Sequence, residues 1–199
     1  MVSWYEAAQF CNYLTSGNKY SGAYKFDISG NFLSIDRVSS ISTYGTTYVL
    51  PTEDEWYKAA YFKPDGSGYS LYANGTSTEP TRANSNYSWV YPPMSSGTPW
   101  DIITNGTQEQ NGTYDMMGNV WEWNETLISG SPRGSGFRGG SYYDNRYIYA
   151  GSLFLRSSFR VSTYPYRGSR DVGFRVAFVP EPATLLLLGL GGLVLRRKH

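Results

Sequence analysis

The chain has almost none of the side chains that hold soft or redox-active metals. Its 199 residues include one cysteine, Cys11, and one histidine, the terminal His199. A single cysteine excludes an internal disulfide, and a single histidine cannot build the facial triad of a non-haem iron enzyme. Any chemistry that requires paired thiolates or clustered imidazoles is therefore excluded for this chain.

Charge of either sign is also scarce, while aromatic residues and glycine are abundant. Seventeen basic residues stand against sixteen acids, a formal net charge of +1, and no basic block lies in the body of the chain. Nucleic acid is not an expected partner, because phosphate binding needs clustered basic residues. The 19 tyrosines, 6 tryptophans and 22 glycines predict a loop-rich structure held by aromatic packing.

Two segments have the pattern of an amphipathic helix that begins with a capping box. In SWYEAAQFCNYL, Ser3 is the candidate cap and Glu6 stands three residues on. LPTEDEWYKAAYF repeats this pattern with Thr52 and Glu55. The apolar residues that follow each cap recur at helical spacing, so we predict two short helices, the first ending near Gly17.

The remaining body of the chain predicts short strands and long loops. A polar stretch from Tyr20 to Tyr48 contains several β-prone runs, and Asp65 to Gly112 is dominated by loop-forming residues. Apolar runs at 137–143, 153–161 and 172–179 are bounded by glycine and serine, which is typical of strands. The fold class predicted from these patterns is α+β.

The last 21 residues differ in kind from the body. A Pro-Glu-Pro triplet precedes an apolar run from Leu185 to Leu195, and a basic cluster follows it. A buried core helix seldom ends in such a cluster, whereas a membrane-inserted segment does. The residues that carry the pattern are Pro180, Glu181, Pro182, Arg196, Arg197 and Lys198.

This tail resembles the PEP-CTERM sorting signal of Gram-negative bacteria. The resemblance implies recognition and processing by an exosortase, with residues 183–195 in the inner membrane before processing. It also implies a final location at the cell surface or outside the cell. Met1 is followed at once by a helix cap, with no signal peptide, so we expect the N-terminal part of the protein to be missing from this chain.

The motifs of the body resemble the formylglycine-generating enzyme family, also called the sulfatase-modifying factor domain. They are the two helical segments, GNVWEW preceded by YDMM, and then FRGGSYY, RSSFR and GFRVA in order. The resemblance covers most of residues 2–178. It implies an irregular, loop-rich, C-type-lectin-like α+β fold with two short helices and short antiparallel strands. We therefore divide the chain into a domain at 1–178 and a sorting tail at 179–199.

The segment YDMMGNVWEWNET, residues 114–126, fits neither helical nor strand periodicity well. The resemblance implies that this turn wraps a structural calcium ion. Its ligands would be the side chains of Asp115 and Glu122 and the backbone carbonyls of Gly118 and Val120, which are hard oxygen donors. The alternative is that both acids are solvated loop residues.

The resemblance also shows what this chain lacks for the family's reaction. Formylglycine formation there depends on two cysteines after the GGS motif, which hold copper(I). The corresponding positions here fall near Asp144 and Tyr149, and neither side chain is a soft ligand. Cys11 lies on the apolar stripe of the first helix, where a buried, inert thiol is expected. We therefore predict no catalytic residues, no copper and no formylglycine-generating activity.

The remaining candidate residues favour binding. A calcium-stabilised domain with a tyrosine-rich loop, exported to the cell envelope, is suited to recognise a glycan or a protein. The candidate binding residues are Tyr142, Tyr143, Asp144, Tyr149, Arg138 and Arg160. The arginines have a structural alternative, in which they pair with acids such as Glu122 or Asp171. Alternative functions are a divergent enzyme of the formylglycine-generating and non-haem iron superfamily, or a non-functional fragment.

Overall fold

The chain folds into two compact units. The computed structural model describes residues 1–81, 83–87, 98–101, 106–127, 134–143 and 151–180. One unit combines residues 1–4 with 51–175, and we call it the sheet unit. The other combines residues 5–50 with the described part of 176–199, and we call it the helical unit.

The first predicted helix is confirmed as α1, Trp4–Ser16. It ends at Gly17, whose φ of 76° lies in the left-handed region that glycine adopts without strain. The Gly17 amide donates to the Tyr13 carbonyl at 2.8 Å, which closes the last turn. Cys11 on this helix is fully buried, as predicted.

The helical unit contains two strand pairs and a helix that the sequence did not predict. Strands β1 (Tyr24–Phe26) and β2 (Phe32–Ile35) pair antiparallel, as do β3 (Thr47–Val49) and β8 (Ala177–Val179). Helix α2, Arg37–Tyr44, lies in the stretch for which only strands were expected. Its start is fixed locally, because the Asp36 carboxylate accepts a hydrogen bond from the Ser39 amide at 2.9 Å.

The sheet unit begins with α3, Glu53–Tyr61, which confirms the second predicted helix. Both bonds of its capping box form: the Thr52 hydroxyl accepts from the Glu55 amide at 3.1 Å, and the Glu55 carboxylate accepts from the Thr52 amide at 2.7 Å. Three acids in the first turn complement the positive end of the helix dipole.

Four strands form the framework of the sheet unit: β4 (Trp121–Leu127), β5 (Ser135–Arg138), β6 (Val161–Thr163) and β7 (Val172–Phe174). Their order in the sheet is β6-β5-β4-β7. The central pair, β4 with β5, is antiparallel, β6 adds antiparallel to β5, and β7 adds parallel to β4. A short 3₁₀ helix, Gly151–Leu155, precedes β6.

The predicted strand boundaries were largely wrong. The run at 137–143 is a strand only to Arg138, because Gly139 and Gly140 then turn the chain with φ of 100° and 77°. The run at 153–161 begins in the 3₁₀ helix and reaches β6 only at its last residue. The run at 172–179 divides into β7 and β8, which belong to different sheets.

Aromatic side chains fill the core of the sheet unit, as the composition predicted. Trp121 and Trp123 alternate with Glu122 along β4, and both indoles are fully buried. Trp121 and Trp123 each meet Phe137 edge to face, with ring centroids 5.2 Å apart. Residues 114–126 fit neither a helical nor a strand period because this segment is a turn followed by the strand β4.

No helix in the described ranges is long and apolar enough to cross a bilayer. The proposed membrane segment at 183–195 lies outside those ranges.

Candidate functional site

The turn that precedes β4 has an unusual backbone. Asp115, Gly118 and Asn119 all have positive φ, of 58°, 88° and 64°. Glycine adopts this conformation freely, and aspartate and asparagine tolerate it better than other residues. Three left-handed residues within five positions reverse the chain tightly and deliver Glu122 to the start of the sheet.

Close packing against neighbouring segments fixes this turn. The Gly118 amide donates to the Gly139 carbonyl, and the Asn119 amide donates to the Asn86 carbonyl, both at 2.7 Å. The Ser85 hydroxyl donates to the Met117 carbonyl at 2.6 Å. A Cβ on Gly118 would lie 2.6 Å from the Asn86 carbonyl oxygen, so only glycine fits.

Asn119 links the turn to two further segments. Its side-chain oxygen accepts from the Trp100 amide at 2.7 Å, and its side-chain nitrogen donates to the Trp100 carbonyl at 3.2 Å. Its own carbonyl accepts from the Tyr142 amide at 2.9 Å. Sequence reasoning missed Asn119 as a structural residue, since its partners lie far away along the chain.

Glu122 is buried and ion-paired rather than solvated. Its carboxylate accepts two bonds from Arg175, from Nε to Oε2 at 2.5 Å and from Nη2 to Oε1 at 2.6 Å. Trp56 Nε1 also donates to Oε2 at 2.7 Å. Arg175 Nη2 additionally donates to the Tyr114 carbonyl at 3.2 Å, so one guanidinium joins both ends of the turn.

Asp115 is only partly compensated, by a side-chain hydrogen bond with Asn119 and by the charge of Arg175. Its Oδ2 atom is buried and has no hydrogen-bond partner in the part of the chain that the structure describes. Burial, and next the charge of Glu122, raises the pKa of Asp115, while Arg175 acts in the opposite sense. Asp115, Asn119, Glu122 and Arg175 line a cavity of about 340 Å³.

Asp115 and Glu122 would offer hard oxygen donors to a calcium ion, in competition with Arg175. A carboxylate offers about four acceptor positions. Arg175 and Trp56 take both positions on Glu122 Oε2, whereas Oε1 accepts one bond from the described residues and keeps one position. Asp115 Oδ2 is unpartnered. No group of three or more His, Cys, Asp or Glu side chains is placed to hold a metal in the described ranges, so the backbone carbonyls would have to complete the shell.

A third carboxyl group, Glu109, is buried and bonded to the turn, and it was not anticipated. Its Oε1 accepts from the Met117 amide at 3.1 Å, and its Oε2 accepts from the Thr113 hydroxyl at 2.9 Å. Burial raises the pKa of Glu109 to about 7, although both hydrogen bonds and the charge of Arg175 oppose the shift. No motif marked this residue, because burial of a loop acid is a tertiary property.

Arg138 and Arg160, which were candidates for ligand binding, converge on Glu53 at the start of α3. Arg138 is 6% exposed, and its Nε and Nη2 donate to Glu53 Oε1 at 2.8 and 2.5 Å. Its Nη1 donates to the carbonyls of Ser157 and Phe159. These contacts match the structural alternative, with Glu53 in place of the acids suggested from the sequence. Arg160 Nη2 lies 2.8 Å from Glu53 Oε2, but its side chain is 45% exposed.

Tyr142 and Tyr143 form a half-buried pair with Arg170, which we call the tyrosine surface. The two ring centroids are 6.0 Å apart, and the Arg170 guanidinium lies 3.6 Å from the Tyr143 centroid. The other candidate binding residues, Asp144 and Tyr149, lie outside the described ranges. So do all residues of the sorting signal after Pro180.

Comparison with protein families identifies both parts of the chain. A family described as "Sulfatase-modifying factor enzyme 1-like domain" matches residues 1–179. The chain belongs to the sulfatase-modifying factor family. A PEP-CTERM protein-sorting motif matches residues 178–198. Exosortase recognises this motif, and the motif implies export to the cell envelope of a Gram-negative bacterium.

Individual relatives of this sulfatase-modifying factor domain agree with the assignment. The chain is 33% identical over 136 residues to the mouse protein named inactive C-alpha-formylglycine-generating enzyme 2, and the match spans 64% of this chain and 42% of the mouse protein. The solved structure of CarF is 26% identical, with a TM-score of 0.61 over 90% of this chain and 66% of that one.

Two more distant structures confirm the fold class. Treponema denticola variable protein 1 is 24% identical, with a TM-score of 0.61 over 90% of this chain and 69% of that one. PvdO from Pseudomonas aeruginosa is 17% identical, with a TM-score of 0.53 over 88% of this chain and 59% of that one. The α+β prediction is confirmed, with three α-helices in the described ranges where two were expected.

Proposed function

We propose that this exported sulfatase-modifying factor domain is a calcium-stabilised binding module that does not generate formylglycine. The observation that carries the proposal is the state of its single thiol. Cys11 is fully buried in α1, and no second cysteine exists in the chain to complete a copper(I) pair. A buried apolar thiol is also poorly reactive, because burial disfavours the thiolate.

The turn from Asp115 to Glu122 supports the calcium part of the proposal. Arg175 neutralises Glu122 but leaves Asp115 Oδ2 buried and without a hydrogen bond. A buried carboxylate oxygen without a hydrogen bond is costly, and a divalent cation would remove that cost. Asp115 would supply the main ligand, with Glu122 Oε1 and the carbonyls of Gly118 and Val120 completing the shell. The ion would act structurally, by fixing the turn.

The tyrosine surface supports the binding part. Tyrosine rings provide contact area at a small cost in conformational entropy, and Arg170 adds a cation that is already oriented against Tyr143. Because the Tyr142 amide is bonded to Asn119, this surface is anchored to the turn. A glycan or a protein at the cell envelope is the ligand class that we propose.

Calcium binding is tested by thermal unfolding of the purified chain with calcium and with a chelator. At a calcium concentration of about 100 times Kd, we expect a gain of about 2.7 kcal/mol, which corresponds to roughly 5–10 °C in Tm. Asp115→Asn should abolish the gain, whereas Asp65→Asn, which changes an exposed carboxylate, should retain it. A parent protein whose Tm ignores calcium would refute this part of the proposal.

The absence of formylglycine chemistry has a direct test. A cysteine-containing peptide is incubated with the chain, copper(I) and oxygen, and the products are examined by mass spectrometry. We expect the peptide thiol to remain unconverted beyond the rate without protein. Accumulation of an aldehyde product that depends on the protein would overturn the proposal.

We further propose that residues 183–195 hold the chain in the inner membrane until the tail is processed. The apolar run and the basic residues that follow it support this order of events. In a Gram-negative host with an exosortase, replacing Pro180, Glu181 and Pro182 by alanine should leave the chain in the membrane fraction. Release of that variant at the parent's rate would contradict the proposal.

A further inference from the structure

A second cavity of the sheet unit adjoins the tyrosine surface, because Arg170 lies between its lining residues Ser169 and Asp171. Its volume is about 240 Å³, and its lining differs from that of the cavity beside Asp115. The described lining combines aromatic rings, hydroxyl groups, one carboxylate and one guanidinium. It includes Trp121, Phe137, Thr163, Arg167 and Asp171.

The Asp171 carboxylate is held in place before any ligand arrives. The Ser141 hydroxyl donates to Oδ2 at 3.2 Å, and the Ser169 hydroxyl donates to Oδ1. The Asp171 backbone is fixed as well, since its carbonyl accepts from the Trp121 amide at 2.8 Å. A carboxylate offers about four acceptor positions, and the described residues take one on each oxygen, which leaves an oriented acceptor on each for hydroxyl groups of a ligand.

The charges of the described lining cancel. Among the described residues that line the cavity, Arg167 provides the only formal positive charge and Asp171 the only formal negative charge. The Arg167 guanidinium lies 5.1 Å from the ring centroid of Tyr164, which supports its position. A neutral ligand therefore matches the site better than a charged one, and it would find both donors and acceptors.

The other lining residues and the volume of the cavity restrict the class of ligand further. Thr163 presents a hydroxyl group from β6 on the face of the sheet that carries Trp121 and Phe137, and these two rings form an apolar floor. A ligand that matches must carry several hydroxyl groups and also a less polar side. At about 30 Å³ per water molecule, the cavity holds the volume of roughly eight waters, which suits one sugar ring and not an oligosaccharide.

We propose that this cavity binds a single neutral hexose unit, with Asp171 and Arg167 bonded to its hydroxyl groups and the aromatic floor against its less polar side. The inference rests on the proposed function as a binding module. It adds the class of the ligand and a second binding location besides the tyrosine surface. It places the sugar in the cavity and not on the tyrosine surface.

Saturation-transfer NMR of the full chain tests the proposal with methyl glycosides of glucose, galactose and mannose and with N-acetylglucosamine. Asp171→Asn keeps the shape of the cavity but removes its charge, and Thr163→Val removes one hydroxyl group. Thr163→Phe fills the cavity. Tyr142→Ala and Tyr143→Ala test the tyrosine surface as the alternative location, and Tyr44→Ala, which removes an exposed ring of the helical unit, is the control. Circular dichroism establishes that each variant is folded before it is compared.

We expect at least one glycoside to bind the parent and the Tyr44→Ala control alike. Asp171→Asn should weaken that binding about tenfold, because bonds to a charged acceptor are stronger than bonds to a neutral one, and Thr163→Val should weaken it less. Thr163→Phe should abolish it.

Two results would overturn the inference, and they bear differently on the proposed function. Binding that survives Thr163→Phe but is lost in the tyrosine variants would move the sugar to the tyrosine surface and leave the binding function intact. If no glycoside binds a folded parent whose Tm responds to calcium, the cavity is not a hexose site. The proposed function is then still decided by the calcium test and by a search for a protein ligand.

Discussion

Replacing Glu109 by glutamine should remove a pH-dependent loss of stability from the sheet unit. Glu109 is 5% exposed, and burial raises its pKa from an ordinary 4.5 to about 7. Between these two values the folded protein retains a proton that the unfolded chain has released. The stabilisation from this group is therefore complete below about pH 4.5 and is lost as the pH rises through 7.

The size of the effect follows from the same shift. A rise in the pKa of Glu109 from 4.5 to about 7 corresponds to a loss of about 3 kcal/mol in the free energy of unfolding once the pH exceeds 7. Glutamine has nearly the same shape and carries no charge. Its amide oxygen can accept from the Met117 amide, and its nitrogen can donate to the Thr113 hydroxyl, so both contacts of Glu109 are conserved.

The assay compares urea unfolding of the parent and of Glu109→Gln between about pH 4.5 and 8.5, with a chelator present throughout. Other groups titrate in both proteins, so the difference between the two curves isolates Glu109. We expect the variant to be about 3 kcal/mol more stable than the parent above pH 7, and the advantage to vanish near pH 4.5. Glu79→Gln, which changes an exposed carboxyl, is the control. A difference between parent and Glu109→Gln that does not vary with pH would refute the reasoning.

Three further outcomes follow from the packing and the ion pairs. Gly118→Ala should lower the free energy of unfolding by about 3 kcal/mol, because alanine would have a positive φ there and its Cβ would clash with backbone atoms. Gly66 has a similar φ but lies in open space, so Gly66→Ala should lower the free energy of unfolding by only about 1 kcal/mol. Equal losses in urea unfolding would contradict the assigned clash. Arg138→Met should lower the free energy of unfolding by about 3–5 kcal/mol, because the buried Glu53 carboxylate loses its main partner. Arg160 is more exposed, so Arg160→Met should lower it by less than about 1 kcal/mol. Cys11 should resist a thiol reagent until the chain is unfolded in urea, and rapid labelling of the native protein would show that the thiol is accessible.

The sequence predicts helices well here because the signals that start and end them are local. Thr52 and Glu55 are three residues apart, and both bonds between them are present. Helix α2 was missed because its sequence, RVSSISTY, is rich in serine and β-branched residues of low helix propensity. The one local signal that could have found it is Asp36, a favourable capping residue directly before the helix.

Strands were predicted less well because their partners are distant along the chain. Phe137 pairs with Trp123 and Val161, and neither pairing is apparent from the segment itself. The alternation of Trp121, Glu122 and Trp123 is a strand signal, but Glu122 is as buried as its neighbours, so the expected contrast between an inner and an outer face is absent.

At the candidate site, too, the sequence indicates which residues matter but not which distant residues they contact. Resemblance to a family directs attention to Asp115 and Glu122, but it cannot say that Arg175, 53 residues away along the chain, occupies much of the Glu122 carboxylate. Arg175 is itself part of the GFRVA motif, so the residue was visible while its role was not. Only the fold shows that one acid of the pair is neutralised by the protein and the other is not.

The same turn also positions both surfaces that we propose for binding. The Asn119 carbonyl holds the amide of Tyr142, and two residues later the Trp121 amide holds the carbonyl of Asp171. If calcium orders this turn, chelation should loosen the tyrosine surface and the hexose cavity together. Hydrogen exchange with and without chelator should therefore show faster exchange at the amides of Tyr142 and Trp121 when calcium is removed, with no change at Gly45, which lies in the helical unit. Faster exchange at one of the two amides alone would mean that the turn does not couple the two surfaces.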